Sequence, residues 1–206
     1  MKQIRIDRTI PVYGIDELPD AVRQRLIEAG RRDAETYAGD LLGDIVPGFV
    51  YEQLRAGIVL PSAWDEFRQG VKVYYSLSYS QGDGVALHGQ IDRANFPNLP
   101  WPDDANRATF THSGHYYHEL SFTVELFNDD DEGGEWLLSP NAPSVVEFTK
   151  AIRQVCRDAE RYGYADIENT TSAANALEVL RDMGEAFNYD GSLVASWILD
   201  GDKVGA

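Results

Sequence analysis

Two groups of polar residues in the middle of the chain have side chains that could do chemistry. In the first group, Ser76, Ser78, Asp83 and His88 flank a Gly-Asp-Gly turn, and together they could supply a nucleophile, a base and an orienting carboxylate. Neither serine stands in a nucleophile elbow, so a catalytic triad is not the favoured interpretation. Residues 81–84 could also hold a phosphate through backbone amides, but the lysine and the strand-to-helix context of a P-loop are missing.

The second group contains His112, His115 and His118, which follow one another at three-residue intervals. On a helix this spacing would bring the imidazoles together around a metal ion. The surrounding residues alternate as in a β-hairpin, with His115 in the turn, and an odd-length turn would return the other two to one face. Asp83 or His88 could then add a ligand. Histidines of the core or of the sheet rim are the favoured interpretation, so we predict no metal and no cofactor.

The elements that must position these side chains begin with a strong hairpin pattern. Apolar residues alternate over 71–79 and again over 85–91, on either side of the Gly-Asp-Gly turn. Because side chains alternate with a period of two, only an odd loop places both apolar sets on one face, and we predict a loop of three or five residues. That register places Ser76 opposite His88.

A second hairpin is predicted from a strand over 108–112, a Ser113-Gly114 turn and a half-buried strand over 116–127. Between the hairpins lies a segment with three prolines, which excludes a central strand or the interior of a helix. Trp101 and Phe96 in this segment could cap the core or line a cleft, and capping is the favoured interpretation. The sequence therefore indicates an antiparallel sheet built from two hairpins.

Helical periodicity dominates both ends of the chain. The predicted helices cover 18–29, 31–42, 49–60, 143–164 and 170–187. Gly30, Gly43 and Pro47 are expected to separate the first three, and Thr170, Thr171 or Ser172 is expected to cap the last. Residues 2–6 and 193–199 are candidate strands. The predicted fold is α+β, a single domain over 1–206 with an antiparallel sheet and with the N-terminal and C-terminal helices packed on one face.

Composition excludes several classes of protein. Of 206 residues, 43% are hydrophobic, which excludes disorder, and 34 acids against 18 bases give a formal charge of −16. That charge argues against direct nucleic-acid binding, which depends on clustered Lys and Arg. Apolar runs are too short for a membrane span, and the single cysteine, Cys156, is predicted to be a buried residue of a helix. A cytoplasmic location follows, because one cysteine cannot form an internal disulfide framework.

Three stretches of the sequence together resemble a family of small bacteriophage and prophage proteins. They are YGIDEL at 13–18, YSLSYSQGDGVAL at 75–87 and HSGHYYHE at 112–119, and the Ser-Gln-Gly-Asp-Gly core is their most specific part. Members of this family are often labelled as the antitoxin of a toxin–antitoxin stability system. The resemblance implies a phage accessory protein and does not imply a particular reaction.

The favoured functional hypothesis is a phage-type accessory protein that binds a host protein stoichiometrically, as an antitoxin or a counter-defence inhibitor does, rather than an enzyme. Its acidic surface would meet a basic surface of the partner. The candidate binding residues are Ser76, Ser78, Gln81, Gly82, Asp83, Gly84, His88, His112, His115 and His118. The alternative is a metal-dependent or His-dependent enzyme, or a nucleotide-binding protein, that uses the Gly-Asp-Gly hairpin and the histidines. Convergence of these side chains in one concave pocket would favour that alternative.

Overall fold

The structure is a computed structural model that describes residues 11–55, 70–129 and 134–194. Its elements are a 3-10 turn (Ile15–Glu17), α1 (Asp20–Arg55), β1 (Val71–Ser76), β2 (Gly84–Asp92), β3 (Arg107–His112), β4 (Phe122–Asp129), β5 (Glu135–Leu137), α2 (Pro143–Thr170) and α3 (Ala173–Asp182). The chain divides into two compact units, residues 39–166 and the two terminal segments 1–38 and 167–206. The predicted strand over 2–6, residues 195–199 of the predicted strand over 193–199, and the end of the predicted helix beyond Arg55 lie outside the described residues. Leu193, which is described, forms an isolated β-bridge with Phe187.

The sheet is antiparallel, and its five strands lie side by side in sequence order, β1-β2-β3-β4-β5. Both predicted hairpins belong to it, and helices precede and follow it along the chain. The predicted α+β fold is therefore confirmed.

The first hairpin has a longer loop than its turn residues indicated. Val73 lies opposite Leu87, and Ser76 lies opposite Gly84, so residues 77–83 form a seven-residue loop. This loop is odd, as predicted, and the two apolar sets do share a face. The predicted partner of Ser76 was wrong, because His88 lies opposite Lys72 instead. The strands stop early because the carboxylate of Asp83 binds the loop backbone, as described below.

The second hairpin also differs in where its returning strand begins. β4 starts at Phe122, so the predicted strand over 116–121 was wrong, and residues 113–121 form a connection instead. The amide of Ser121 donates to the carbonyl of His118 at 2.9 Å, which closes a turn where the pattern predicted extended chain. Buried and exposed residues follow a strand pattern only from Phe122 onward, and Phe122 and Leu126 are buried.

One continuous helix replaces the first three predicted helices. Neither Gly30 nor Gly43 ends α1, and Pro47 lies inside it. An internal proline removes one helical hydrogen bond and costs about 3 kcal/mol. Burial of Val46, Val50 and Leu54, which are 0% exposed, offsets that cost, since each buried aliphatic side chain contributes about 1.5–3 kcal/mol.

The C-terminal helices α2 and α3 begin where their patterns predicted, within a few residues. α2 continues six residues beyond the predicted end, and Cys156 is buried in it as expected. Ser172 caps α3, because its side chain accepts the amide of Asn175 at 3.0 Å. Trp101 is buried, its ring lies 4.7 Å from that of Phe148, and its indole N–H donates to the carbonyl of Phe96. The proline-rich segment therefore caps the core, as predicted.

The unit that contains both chain ends has a small core of its own. Phe187 exchanges backbone hydrogen bonds of 2.9 Å with Tyr13 and packs with Ile15 and Leu18. The predicted helix to residue 187 was wrong at this point, because α3 ends at Asp182 and Phe187 lies in a β-bridge. The two-strand pairing satisfies backbone groups that a helix end would leave open.

Candidate functional site

The first hairpin loop, residues 77–83, is organised around one carboxylate. Asp83 accepts hydrogen bonds from the hydroxyl of Ser76 at 2.7 Å, from the amide of Ser78 at 2.6 Å and from the amide of Ser80 at 2.7 Å. The hydroxyl of Tyr164, on α2, donates to the same carboxylate at 3.2 Å. Asp83 therefore binds the whole loop to itself and to the helix.

These bonds determine the protonation state of Asp83. Burial raises its pKa, but the hydrogen bonds from Ser80, Ser76 and Ser78 outweigh burial and hold the pKa at about 2. A carboxylate with so low a pKa is a weak proton acceptor near neutral pH. Its chemistry in this loop is that of a fixed hydrogen-bond acceptor.

The structure does not assemble the Ser, His and Asp set that the sequence contained. Ser76 and Ser78 do contact Asp83, but His88 lies opposite Lys72, four residues along the sheet from Ser76. At about 3.3 Å per residue, this separates them by about 13 Å. At the predicted phosphate cradle of residues 81–84, a phosphate would meet the negative charge of Asp83, whose carboxylate accepts the amides of Ser78 and Ser80.

The second loop, residues 113–121, packs directly on the first. The amide of Tyr117 donates to the carbonyl of Gly82 at 3.0 Å, and the ring of Tyr116 covers Gly82 so closely that a β-carbon there would lie 1.9 Å from the ring. A β-carbon on Gly84 would lie 2.8 Å from the carbonyl of Tyr117. Both glycines also have positive φ, so the Gly-Asp-Gly turn is required for loop-to-loop packing.

Two of the four histidines meet on the sheet. The amide of His112 donates to Nδ1 of His88 at 3.3 Å, and Nε2 of His112 donates to the carbonyl of Tyr116 at 2.9 Å. The ring of Tyr74 lies 5.1 Å from that of His112 and 5.8 Å from that of Tyr117. Sequence reasoning did not select Tyr74 as a site residue. Its position two residues before Ser76 on β1 nevertheless indicated that the two side chains lie on the same face of the sheet.

The other two histidines do not join this pair. Nδ1 of His118 accepts the amide of Leu120 at 3.1 Å, so this ring stabilises a turn, and His115 is exposed in the loop. The expectation that His112 and His118 share one face of a hairpin was wrong, because His118 precedes the start of β4. Over the described ranges, no group of three or more His, Cys, Asp or Glu residues could hold a metal ion.

Comparison with protein-family models, curated proteins and solved structures finds no match. The resemblance to phage proteins stays a prediction from the sequence. Among the helices that the structure describes, none is long and apolar enough to cross a bilayer.

His88 also lines a shallow depression on the sheet. This depression has a volume of about 380 Å³. Its lining residues are Gly70, His88, Gly89, Gln90, Thr109, Phe110 and Thr111. The side chains of Gln90 and of both threonines are donors as well as acceptors, so a small polar ligand would find partners here.

Two glutamates add negative charge at the paired loops: Glu119 belongs to the second loop, and Glu160, which no sequence pattern indicated, lies on α2. Burial raises the pKa of Glu160, and the charges of Glu119 and Asp83 raise it further. Glu119 in turn lies 3.6 Å from the guanidinium of Arg157. The neighbouring thiol of Cys156 has its pKa raised to about 12 by burial, so it is not a nucleophile at neutral pH.

Proposed function

We propose that this chain is a phage-type accessory protein that acts by stoichiometric binding to a host protein in the cytoplasm, as an antitoxin or a counter-defence inhibitor does. The observation that carries the proposal is the use of Asp83. Its carboxylate is occupied by Ser76, Ser78 and Ser80 and has a pKa of about 2, so the residues best suited to catalysis build a loop instead. Loops that a rigid scaffold positions often carry the residues that bind a partner.

The charge of the chain supports a basic partner. With 34 acidic and 18 basic residues, the protein carries a formal charge of −16 and attracts positively charged surfaces over a distance. Attraction of this kind raises the association rate and falls with ionic strength. The resemblance of the Ser-Gln-Gly-Asp-Gly and His-rich segments to phage proteins points in the same direction.

The test is an affinity capture from bacterial lysate with the tagged full chain, followed by reconstitution from purified components. We expect one basic protein in a ratio close to one to one, with a Kd that weakens as salt is raised. A bound nucleotide or metal with no protein partner would overturn the proposal.

A second candidate function rests on the depression beside His88. Its polar lining favours a small polar ligand, such as a nucleoside or a nucleotide. Thermal unfolding with a panel of nucleotides tests this candidate. A ligand of the depression would raise the Tm of the wild-type protein and of His115→Ala, whose exposed imidazole is the matched control, but not of His88→Ala. No shift with any nucleotide would reject it.

A further inference from the structure

The two hairpin loops expose three large apolar side chains. Tyr79 is 68% exposed, Tyr116 is 57% exposed and Leu120 is 63% exposed. The loops that carry them are joined by the hydrogen bond between Tyr117 and Gly82. We call Tyr79, Tyr116 and Leu120, with the adjoining Glu119 and Glu160, the loop surface. Exposed apolar groups that are rimmed by charged residues are typical of protein-binding sites.

Both rings of the loop surface are held in place before any partner arrives. The ring of Tyr79 packs against that of Tyr164 with 4.6 Å between centroids, and the ring of Tyr116 lies on Gly82. Tyr79 also has a φ of +58°, a conformation that the hydrogen bonds of Asp83 to the adjacent amides maintain. Pre-positioned aromatic side chains lose little entropy on binding, which favours their use as anchors.

The charge around these rings is negative and incompletely balanced. Carboxylates of Asp83, Glu119 and Glu160 lie close enough that the first two raise the pKa of the third, after burial. Arg157 lies 3.6 Å from Glu119, and Arg161, whose charge lowers the pKa of Glu160 in part, is paired with Asp158 at 2.8 Å. A cation placed among these groups would relieve their mutual repulsion.

We propose that the loop surface binds an arginine-containing segment of the basic partner, which deepens the proposed function and rests on it. A guanidinium stacks on the face of a tyrosine and forms two parallel hydrogen bonds with a carboxylate. Lysine lacks the plane and the fork that make both contacts possible at once. A second copy of this chain is the less favourable occupant, because two chains of charge −16 repel each other.

The experiment titrates synthetic peptides into the full chain and follows binding by calorimetry. The probe is a peptide of alternating Arg and Gly, compared with Lys-Gly and Glu-Gly peptides of equal length. We expect the Arg peptide to bind about five- to tenfold more tightly than the Lys peptide, and the Glu peptide not to bind.

Two variants and two matched controls locate the site. Tyr79→Ala and Glu160→Gln are expected to weaken binding of the Arg peptide about five- to tenfold each. Trp136→Ala removes an aromatic ring of similar exposure, 64%, from β5, and Glu168→Gln removes an exposed carboxylate from the same helix as Glu160. Both controls are expected to change the Kd less than about twofold. Thermal unfolding of each variant checks that the fold is retained.

The outcomes separate this inference from the function on which it rests. Equal losses in variants and controls, or no preference for the Arg peptide, would overturn the loop surface as the binding site. If the host partner from the capture still binds Tyr79→Ala and Glu160→Gln with wild-type affinity, only the site is wrong. If no stoichiometric partner is captured while the peptide binds as expected, the proposed function fails and the arginine site stands.

Discussion

The two hairpin loops are neighbours, yet they are stabilised in different ways. In the loop over 77–83, the carboxylate of Asp83 gathers donors from within seven residues. In the loop over 113–121, the internal bonds join neutral groups: the imidazole of His118 accepts the amide of Leu120, and the backbone of His118 bonds to Ser121. The amide of Tyr117 also bonds to Gly82 of the other loop. The first loop is therefore organised around one ionised acceptor, whereas the second combines neutral bonds with packing against its neighbour.

The difference follows from the strength of the acceptors. Hydrogen bonds to an ionised group contribute about 1.5–3 kcal/mol, and those between neutral groups contribute about 0.5–1.5 kcal/mol. Several charged bonds within one short segment fix its conformation locally. A loop whose bonds join only neutral groups relies more on the surface against which it packs.

The largest loss of stability is expected from a substitution at a buried position of β2. Leu87 is 0% exposed on β2, the strand that follows the first loop and pairs with β3 before the second. Leu87→Ala should lower the free energy of unfolding by about 2–5 kcal/mol, since it leaves a cavity. His88→Ala, at the exposed neighbouring position, is the control and should cost less than about 1 kcal/mol. Urea unfolding of both variants gives the comparison, and the reverse order would show that the buried face is misassigned.

The next effect tests whether the second loop depends on the first. At Gly84, a β-carbon would meet the backbone of Tyr117 at 2.8 Å, whereas one at Gly114 meets nothing within 4 Å, and both glycines have positive φ. Gly84→Ala should cost about 2–3 kcal/mol and Gly114→Ala about 1 kcal/mol. Hydrogen exchange at the amide of Tyr117 should rise only in the first variant. Equal costs would mean that the loops are independent.

Removal of the carboxylate tests the first loop alone. Asp83→Asn should lower stability at neutral pH by about 1–2 kcal/mol, after allowance for solvent screening. The pKa of Asp83 is lowered from 3.8 to about 2, so its contribution is complete above about pH 4 and is lost as the pH falls through 2. Thermal unfolding from pH 7 to pH 2 should therefore show wild type and variant converging in acid. Asp104→Asn, at an exposed carboxylate, should show no such convergence, and a constant difference for Asp83→Asn would contradict the role assigned to its charge.

The smallest effect is expected in the second loop. His118→Ala removes one neutral acceptor, the partner of the Leu120 amide, and should cost about 0.5–1 kcal/mol. His115→Ala, at an exposed position of the same loop, should leave the free energy of unfolding unchanged. Denaturant unfolding measures both. A larger loss for His118→Ala than for Asp83→Asn would reverse the comparison of the two loops.

Predictions from the local sequence pattern were confirmed where contacts between residues close in the sequence decide the structure. The cap at Ser172, the buried Cys156 and the shared apolar face of the first hairpin all follow from spacing within a few residues. The failures involve distant partners. Pro47 stays inside α1 because buried neighbours offset its cost, and residues 116–121 leave the strand pattern because Tyr117 bonds to Gly82.

The residues of the candidate site also fall into two groups, those that the sequence pattern indicated and those that only the packing brings to the site. The sequence marked Asp83, the neighbouring serines and the histidines, because polar residues beside a Gly-Asp-Gly turn stand out in an alternating pattern. It gave no sign of Glu160, which reaches the loops only through the packing of α2.

By itself, the sequence determined the α+β class, the odd hairpin loop and the acidic charge, since periodicity, turn residues and composition are local or additive properties. Only the tertiary structure decided that Tyr116 covers Gly82 and that the hydroxyl of Tyr164 reaches Asp83. It also decided that Ser76 and His88 lie apart, because register fixes which distant residues meet and no local pattern specifies register alone.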